Sequence, residues 1–200
     1  MQRRLLVFAL ASLASACVAE VEPEICPAVG AGDLVVSELR GNQSGTYGEW
    51  IELYNHGAQA IDLRGLHLEV RALDGSGLVT ILVRRPLTVA AGDYVVLGAF
   101  PDDQRPAHVD YGWHPDVLNS DGSIKHLPDA GALAVTACGA VVDRVVWNDL
   151  PSDGTYALGL MPPDATGNDA ATAWCTDAVD DDPTAPGLPG TPGASNHPCP

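Results

Sequence analysis

The chain has 200 residues, enough for one compact domain with its own hydrophobic core. It carries 26 acidic residues against 10 Lys and Arg, for a formal net charge of -16 at pH 7. Because nucleic-acid binding depends on cationic contacts to phosphate, this charge argues against nucleic acid as a partner. Direct binding to anionic lipid headgroups is disfavoured for the same reason.

The N-terminus has the three parts of a secretory signal. Arg3 and Arg4 form a basic start, residues 5–13 an apolar run, and residues 14–16 (Ala-Ser-Ala) a small-residue cleavage site. A membrane-spanning helix needs about 20 apolar residues, so the run is too short to be an anchor helix. We predict that residues 1–16 are a signal peptide.

Cys17 directly follows the cleavage site. Small residues that end at a cysteine resemble the lipobox of bacterial lipoproteins, in which the cysteine is acylated and becomes the mature N-terminus. The alternative is ordinary cleavage after Ala16, which leaves Cys17 as a thiol. We expect Cys17 to be the lipid attachment site and the only membrane contact. Val18 follows it in place of a retaining Asp, which favours an exported lipoprotein of the cell envelope, anchored in the outer membrane. Residues 17–32 then form the lipidated cysteine and an acidic tether.

Four further cysteines remain: Cys26, Cys138, Cys175 and Cys199. None belongs to a C-x-x-C pair, and an even number in an exported chain indicates two disulfides. Four cysteines permit three pairings, which the sequence leaves open. We favour Cys26 with Cys199, because the ends of compact domains often lie close together, and Cys138 with Cys175, because Trp174 can dock the tail near the Cys138 turn.

Short runs with a period of two follow residue 32, separated by Gly, Pro and Asp. They lie at residues 34–39, 50–54, 61–70, 78–83, 94–97, 133–136 and 141–147. In the second run Trp50, Glu52 and Tyr54 share one face, and Ile51 and Leu53 share the other, so either Trp50 or Ile51 faces the core. We predict an all-β fold, an antiparallel β-sandwich over residues 33–148, followed by an irregular Pro/Gly/Asp-rich extension over residues 149–200 that disulfides hold in place.

Taken in order, these motifs resemble the lamin tail domain family, whose members have an immunoglobulin-like sandwich. Residues 35–39, 61–68, 87–97, 118–122 and 141–147 are similar to successive family segments, and residues 190–196 resemble a closing segment seen after this domain in bacterial lipoproteins. The resemblance implies a non-catalytic module. Its best-marked segment is Glu49, Trp50, Ile51, Glu52, Leu53, Tyr54 and Asn55.

No recognised catalytic pattern occurs in the sequence. There is no G-x-S-x-G elbow and no H-E-x-x-H pair, and the six histidines are scattered. Glu49 and Glu52 lie an odd number of residues apart on a strand, so they project to opposite faces and cannot form an acid/base pair with each other. We expect Glu52 to be either a partly buried side chain beside Trp50 or a cross-strand hydrogen-bond acceptor. We predict no catalytic residue.

Calcium is the one cofactor that the composition leaves open, as a structural ion. Hard oxygen ligands could come from Asp149, Asp153, Asp164, Asp169, Asp180, Asp181 and Asp182. The twelve-residue calcium loop pattern is absent, and acidic runs are usually solvated, so we predict no cofactor and no metal site.

The sequence favours a binding or scaffolding module for an unknown protein or glycan at the cell surface. Tyr47, Tyr111 and Trp113 lie in loops and could stack on sugars or fill partner pockets. Equally, they could pack as lids over the ends of the sandwich. The alternatives are a secreted hydrolase or hydrolase accessory domain, and an inert structural component of a surface coat.

Overall fold

The computed structural model describes residues 24–45, 47–178 and 187–200. Apart from two short 3-10 helices at His114–Asp116 and Ala171–Ala173, the regular structure of these residues is β-strand. The twelve strands are β1 Leu34–Arg40, β2 Trp50–Asn55, β3 Ile61–Asp62, β4 Leu66–Ala72, β5 Val79–Leu82, β6 Thr88–Val89, β7 Tyr94–Gly98, β8 Tyr111–Gly112, β9 Gly131–Ala137, β10 Ala140–Trp147, β11 Thr155–Leu158 and β12 Trp174–Asp177.

The strands form two main sheets. The six-stranded sheet has the order β12-β11-β1-β2-β7-β8, and the four-stranded sheet has the order β10-β9-β4-β5. β3 and β6 make a separate two-stranded ribbon. Neighbouring strands are antiparallel except β7 and β8, which are parallel. The predicted all-β sandwich is therefore confirmed. No helix in the described ranges is long and apolar enough to cross a membrane.

The main core lies between the two sheets, and the period-two pattern decides which side chains enter it. In β9, Leu133 and Val135 are fully buried, while Ala134 between them is partly exposed. In β2, Ile51 faces this core and Trp50 joins a second buried cluster on the opposite side of the sheet. Both residues that the sequence offered as alternatives are thus buried, because the six-stranded sheet is covered on both faces.

The single strand predicted at residues 61–70 is divided into β3 and β4. Gly65 lies at the break with a φ of 91°, a left-handed conformation that favours glycine. A Cβ at this position would collide with the carbonyl oxygen of Ile25. The N-terminal segment therefore passes so close to the start of β4 that the chain cannot continue as one regular strand.

The extension after residue 148 is less irregular than the sequence predicts. β11 pairs with β1, and β12 pairs with β11, so both strands continue the six-stranded sheet. Trp174 in β12 is 7% exposed and stacks on Tyr156 of β11, with ring centroids 4.9 Å apart. The extension is thus part of the sandwich, because one strand addition satisfies the backbone of β1 that would otherwise be a sheet edge.

The predicted disulfide pairing, Cys26 with Cys199 and Cys138 with Cys175, is wrong. The structure joins Cys26 to Cys138 and Cys175 to Cys199, with Cα–Cα distances of 5.6 and 5.7 Å. The prediction assumed that the two ends of the domain meet. Cys26 is instead tied to the turn between β9 and β10, and Cys199 is tied to β12.

Strand register explains the first disulfide. Leu66 at the start of β4 pairs with Ala137 at the end of β9, and Cys138 begins the turn that follows. The N-terminal segment packs against Gly65, one residue before that pair. Cys26 is therefore placed beside Cys138 by an alignment that joins residues far apart in sequence.

The second disulfide follows from the course of the C-terminus along β11 and β12. Cys175 lies on β12 opposite Ala157 of β11. The chain returns past Gly159, where an added Cβ would lie 2.6 Å from the Cys199 sulfur. Cys199 thus lies beside the end of β11, close to Cys175 near the start of β12. The Cys175–Cys199 bond closes a loop with a sequence separation of 24.

Candidate functional site

Two glutamates face each other on the outer side of the six-stranded sheet. Glu38 of β1 is the register partner of Glu52 of β2. The register shifts between Val36 and Glu38, so Ser37 lies in a β-bulge, a feature that redirects side chains within a strand. Glu38 and Glu52 both have an exposed fraction of 0%. From the sequence, Glu52 was considered as a partner of Glu49 only. The Glu38–Glu52 pair was not predicted.

Each carboxylate accepts hydrogen bonds from a sheet side chain and from a backbone amide of the C-terminal end, and the Thr155 side chain also hydrogen-bonds Glu38. Glu38 accepts one from Trp50 Nε1 at 2.8 Å and one from the backbone N–H of Thr191 at 3.2 Å. Glu52 accepts one from Ser37 Oγ at 2.7 Å and one from the backbone N–H of Gly193 at 2.6 Å. Strands of the sheet and the C-terminal end of the chain thus both supply donors to the pair.

Burial dominates the electrostatics of this pair. It raises the pKa of Glu38 from 4.5 to about 7, against the lowering effect of the Trp50 and Thr191 hydrogen bonds. Burial also raises the pKa of Glu52 well above its usual value, and the charge of Glu38 raises it further. Paired carboxyls with raised pKa values can serve as general acids. Here, however, the C-terminal segment that contacts both carboxyls covers them from solvent.

Glu49 has a different partner from Glu52, in line with the predicted opposite projection. Its carboxylate is 2.9 Å from His126 Nδ1, and Glu49 is 4% exposed. Burial raises the pKa of Glu49, while the neighbouring His126 lowers it. The two glutamates therefore act in separate contacts, and neither is placed to exchange a proton with the other.

The remaining residues of the Glu49–Asn55 segment hold the fold together. Leu53 lies in the main core, and the Tyr54 ring is 4.9 Å from the ring of Tyr94 on the next strand. Asn55 is fully buried and donates through Nδ2 to the carbonyl oxygens of Gln59 at 2.8 Å and Val89 at 3.1 Å. The segment best marked in sequence is thus a structural one.

The sequence left two alternatives for Tyr47, Tyr111 and Trp113: contact with sugars or partner pockets, or packing as lids over the ends of the sandwich. Tyr111 and Trp113 are 4% and 1% exposed and belong to the main core. Tyr111 donates its hydroxyl to the carbonyl oxygen of Leu82 at 2.9 Å. Tyr47 is half-buried, with its ring 6.1 Å from the ring of His108. Tyr111 and Trp113 therefore follow the lid alternative, because neither presents a ring face to solvent.

The aspartates considered for calcium do not converge where the structure describes them. Within the described ranges no group of three or more His, Cys, Asp or Glu side chains could hold a metal ion. Asp164 instead accepts hydrogen bonds from the backbone N–H groups of Thr166 and Gly167, while Asp149, Asp153 and Asp169 are exposed. Cys17, Asp180, Asp181 and Asp182 lie outside the described residues.

The outer face of the four-stranded sheet carries a groove of about 440 Å³. Its floor consists of three small side chains of β9, Ala132, Ala134 and Thr136. Val141 and Val146 of β10 form an apolar wall and are 45% and 54% exposed. We name this surface the β9 groove.

Charged residues of both signs border the β9 groove. Arg144 lies on the β10 side, and Arg71 and Glu69 lie on the β4 side, where they form an ion pair at 3.1 Å. A second groove of about 410 Å³ adjoins the start of β4 and includes Arg64 and Arg84. This sheet face therefore collects arginines in a chain whose net charge is -16.

Two packed sheets with a filled core, and carboxylates engaged in structural hydrogen bonds, define an immunoglobulin-like sandwich module. The family model for the Lamin Tail Domain matches residues 27–149, and the chain belongs to this family of non-catalytic immunoglobulin-like domains. The match ends before β11, β12 and the segment that covers Glu38 and Glu52. No curated protein matches this chain.

Proposed function

We propose that this protein is an exported, non-catalytic lipoprotein of the cell envelope that binds a protein partner through the β9 groove. One observation carries the proposal. The outer face of the six-stranded sheet is covered over Glu38, Trp50 and Glu52, whereas the outer face of the four-stranded sheet is open. An open, grooved sheet face with exposed valines is a common place for a partner to dock.

The arrangement of the carboxylates supports a module without catalysis. A general acid must reach the atom that it protonates. Glu38 and Glu52 are enclosed, and each is held by side-chain donors of the sheet and by one C-terminal amide. A hydrolase remains the second candidate, because acids with raised pKa values are also typical of active sites.

A protein partner fits the β9 groove better than a glycan. Sugar recognition usually relies on exposed aromatic faces, and the groove is lined by none. Its floor of small side chains runs along one strand, which suits an extended peptide segment. The exposed wall of Val141 and Val146 provides apolar contact, and Arg71 and Arg144 provide charge complementarity to an acidic segment.

Export and anchoring rest on the ends of the chain. Disulfides such as Cys26–Cys138 and Cys175–Cys199 form and persist mainly in oxidising compartments. Cys17 follows a signal-like segment, so we propose that its lipid attaches the protein to the outer membrane. The protein would then display the β9 groove to a partner at the cell surface. If no partner binds there, the alternative is an inert component of a surface coat.

Site-specific photocrosslinking in intact cells tests the proposal. A benzophenone amino acid is placed at Thr136, on the groove floor between His67 and Val141, or at Thr176, an exposed position on β12 of the other sheet. We expect one crosslinked protein from position 136 and none from position 176. Crosslinks of equal yield at both positions, or none at either, would contradict the proposal, and the second result would favour an inert coat component.

The enzymatic alternative needs its own assay. The purified mature protein is incubated with ester, phosphodiester and glycan substrates, alongside a Glu52→Gln variant. We expect no turnover by either protein. Turnover that is lost in the variant would establish a hydrolase and overturn the non-catalytic assignment.

A further inference from the structure

Residues 188–196 form a strap across the outer face of the six-stranded sheet, called here the C-terminal strap. At one end Leu188 is 2% exposed and packs in the apolar cluster that contains Trp50. At the other end Asn196 Nδ2 donates to the carbonyl oxygens of Ser37 at 2.7 Å and Leu158 at 3.1 Å. The strap is therefore fixed by apolar burial at its start and by hydrogen bonds to the sheet at its end.

The middle of the strap is shaped to reach the acid pair. Gly190 has a φ of 80°, and a Cβ there would lie 2.5 Å from Thr155 Oγ1 and 3.0 Å from a Glu38 carboxylate oxygen. This close approach lets the Thr191 amide donate to Glu38, and the Gly193 amide two residues later donates to Glu52. The strap thus contacts both members of the pair at once.

Closing the strap has an electrostatic cost that depends on protons. With the strap closed, two carboxyls lie together with no exposed surface, and two negative charges there are unfavourable because of desolvation and mutual repulsion. With the strap open, water would solvate both. The closed form therefore holds a proton more tightly than the open form, and by linkage proton uptake favours closure.

We propose that the C-terminal strap is a pH-dependent cover, which proton uptake by the Glu38–Glu52 pair closes in mildly acidic medium and proton loss loosens in alkaline medium. The raised pKa of Glu38, about 7, puts the midpoint of this response close to neutrality. The role is independent of the β9 groove, which lies on the other sheet.

Other charged and titratable groups face the pair from each neighbouring element: Arg40 on β1, Tyr94 on β7, Asp110 before β8, Asp177 on β12 and His197 after the strap. Arg40 donates to the carbonyl oxygens of Gly48 and Gly154, so its charge is directed partly away from Glu38. Asp177 raises the pKa of Glu38 and is itself 2.7 Å from His197 Nδ1. The acid pair differs from these neighbours because the strap amides of Thr191 and Gly193 donate to it directly.

The Cys175–Cys199 disulfide makes the opening local. It ties the chain beyond the strap to β12, so a loosened strap stays attached to the sheet. Opening would uncover Trp50 and the two carboxylates without disturbing the core between the sheets. The cover and the core are thus separable by experiment.

Amide hydrogen exchange tests the proposal on the full mature protein. Protection of the Thr191 and Gly193 amides is measured at pH 5, 6, 7 and 8, after correction for intrinsic exchange, with the Leu53 amide of β2 as the core reference. We expect strap protection to fall on the order of 100-fold between pH 5 and pH 8 and to stay below that of Leu53 throughout. Protection of the strap that does not change with pH, or that equals the protection of Leu53, would overturn the proposal.

Neutral variants separate proton binding from packing. Glu38→Gln combined with Glu52→Gln removes the titration while keeping the size of both side chains, so strap protection should lose its pH dependence. Glu69→Gln on the open sheet face is the matched control and should keep the wild-type dependence. If the double variant does not fold, Glu38→Gln alone should show a shallower profile. A variant profile identical to that of the wild type would overturn the proposal.

Discussion

Raising the pH from 5 to 8 should destabilise this acidic protein, although about half of the carboxylates in the described residues are exposed. The reason is Glu38, whose pKa burial raises from 4.5 to about 7. A carboxyl with a raised folded-state pKa contributes stability that is fully present below its unfolded pKa, and that contribution is lost as the pH rises through the folded value. One pKa unit corresponds to about 1.4 kcal/mol, so Glu38 alone should lower the free energy of unfolding by about 2 to 3 kcal/mol over this window.

Other groups determine whether this effect survives in the whole protein. Burial raises the pKa values of Glu52, Glu49 and Asp143, and each therefore acts in the same direction as Glu38. His108 acts in the opposite direction, because burial lowers its pKa and its stabilising neutral form is lost as the pH falls. Because the pKa of Glu38 alone reaches about 7, we expect a net loss of stability toward alkaline pH.

Urea unfolding followed by tryptophan fluorescence measures the effect, with the disulfides intact at every pH. The wild type should unfold at lower urea concentration at pH 8 than at pH 5. Glu38→Gln should flatten this dependence, and Glu69→Gln should preserve it. Equal stability at the two pH values, or greater stability at pH 8, would refute the claim that burial controls the acid pair.

Three further predictions concern the strap, the disulfides and the anchor. Gly190→Ala should lower the free energy of unfolding by about 2 kcal/mol or more. Gly193 has a similar positive φ but open space where a Cβ would lie, so Gly193→Ala should lower it by only about 1 kcal/mol. Equal losses in thermal unfolding would contradict the close approach of Gly190 to the sheet. Peptide mapping without reduction should recover Cys175 linked to Cys199, and replacing both by Ala should cost about 3 kcal/mol for this short loop; free thiols at these positions would refute the pairing. Cys17→Ser should move the protein to the soluble exported fraction or leave it unprocessed, and membrane retention equal to the wild type would rule out the lipid anchor.

Local sequence patterns predicted the sandwich. A strand can be recognised in the sequence because its apolar residues alternate with a period of two and turn residues bound it. The alternation in residues 50–54 correctly separated Ile51 from Trp50. It did not show that both faces would be buried, since the cover over Trp50 comes from Leu188, far along the chain. Sequence periodicity predicts which residues share a face of a strand. The segment that covers that face is known only from the tertiary fold.

The acid pair and the disulfides escaped prediction for a related reason. Glu38 meets Glu52 only through the β1–β2 register and the bulge at Ser37, neither of which a single sequence specifies. Cys26 reaches Cys138 through the β4–β9 register. The signal available in the sequence was the strap itself, because Gly190 and Gly193, three residues apart, indicate a close backbone approach whose target is not local.

The affinity of the crosslinked partner for matched groove variants tests the central claim most directly. Thr136→Trp fills the floor of the β9 groove, and Thr176→Trp makes the same change on β12, outside it. We predict that Thr136→Trp weakens binding of the purified partner at least about ten-fold, or about 1.4 kcal/mol, while Thr176→Trp leaves the Kd within about two-fold of the wild type. Unchanged affinity of the Thr136→Trp variant, with its fold intact, would contradict the assignment of the β9 groove as the binding surface.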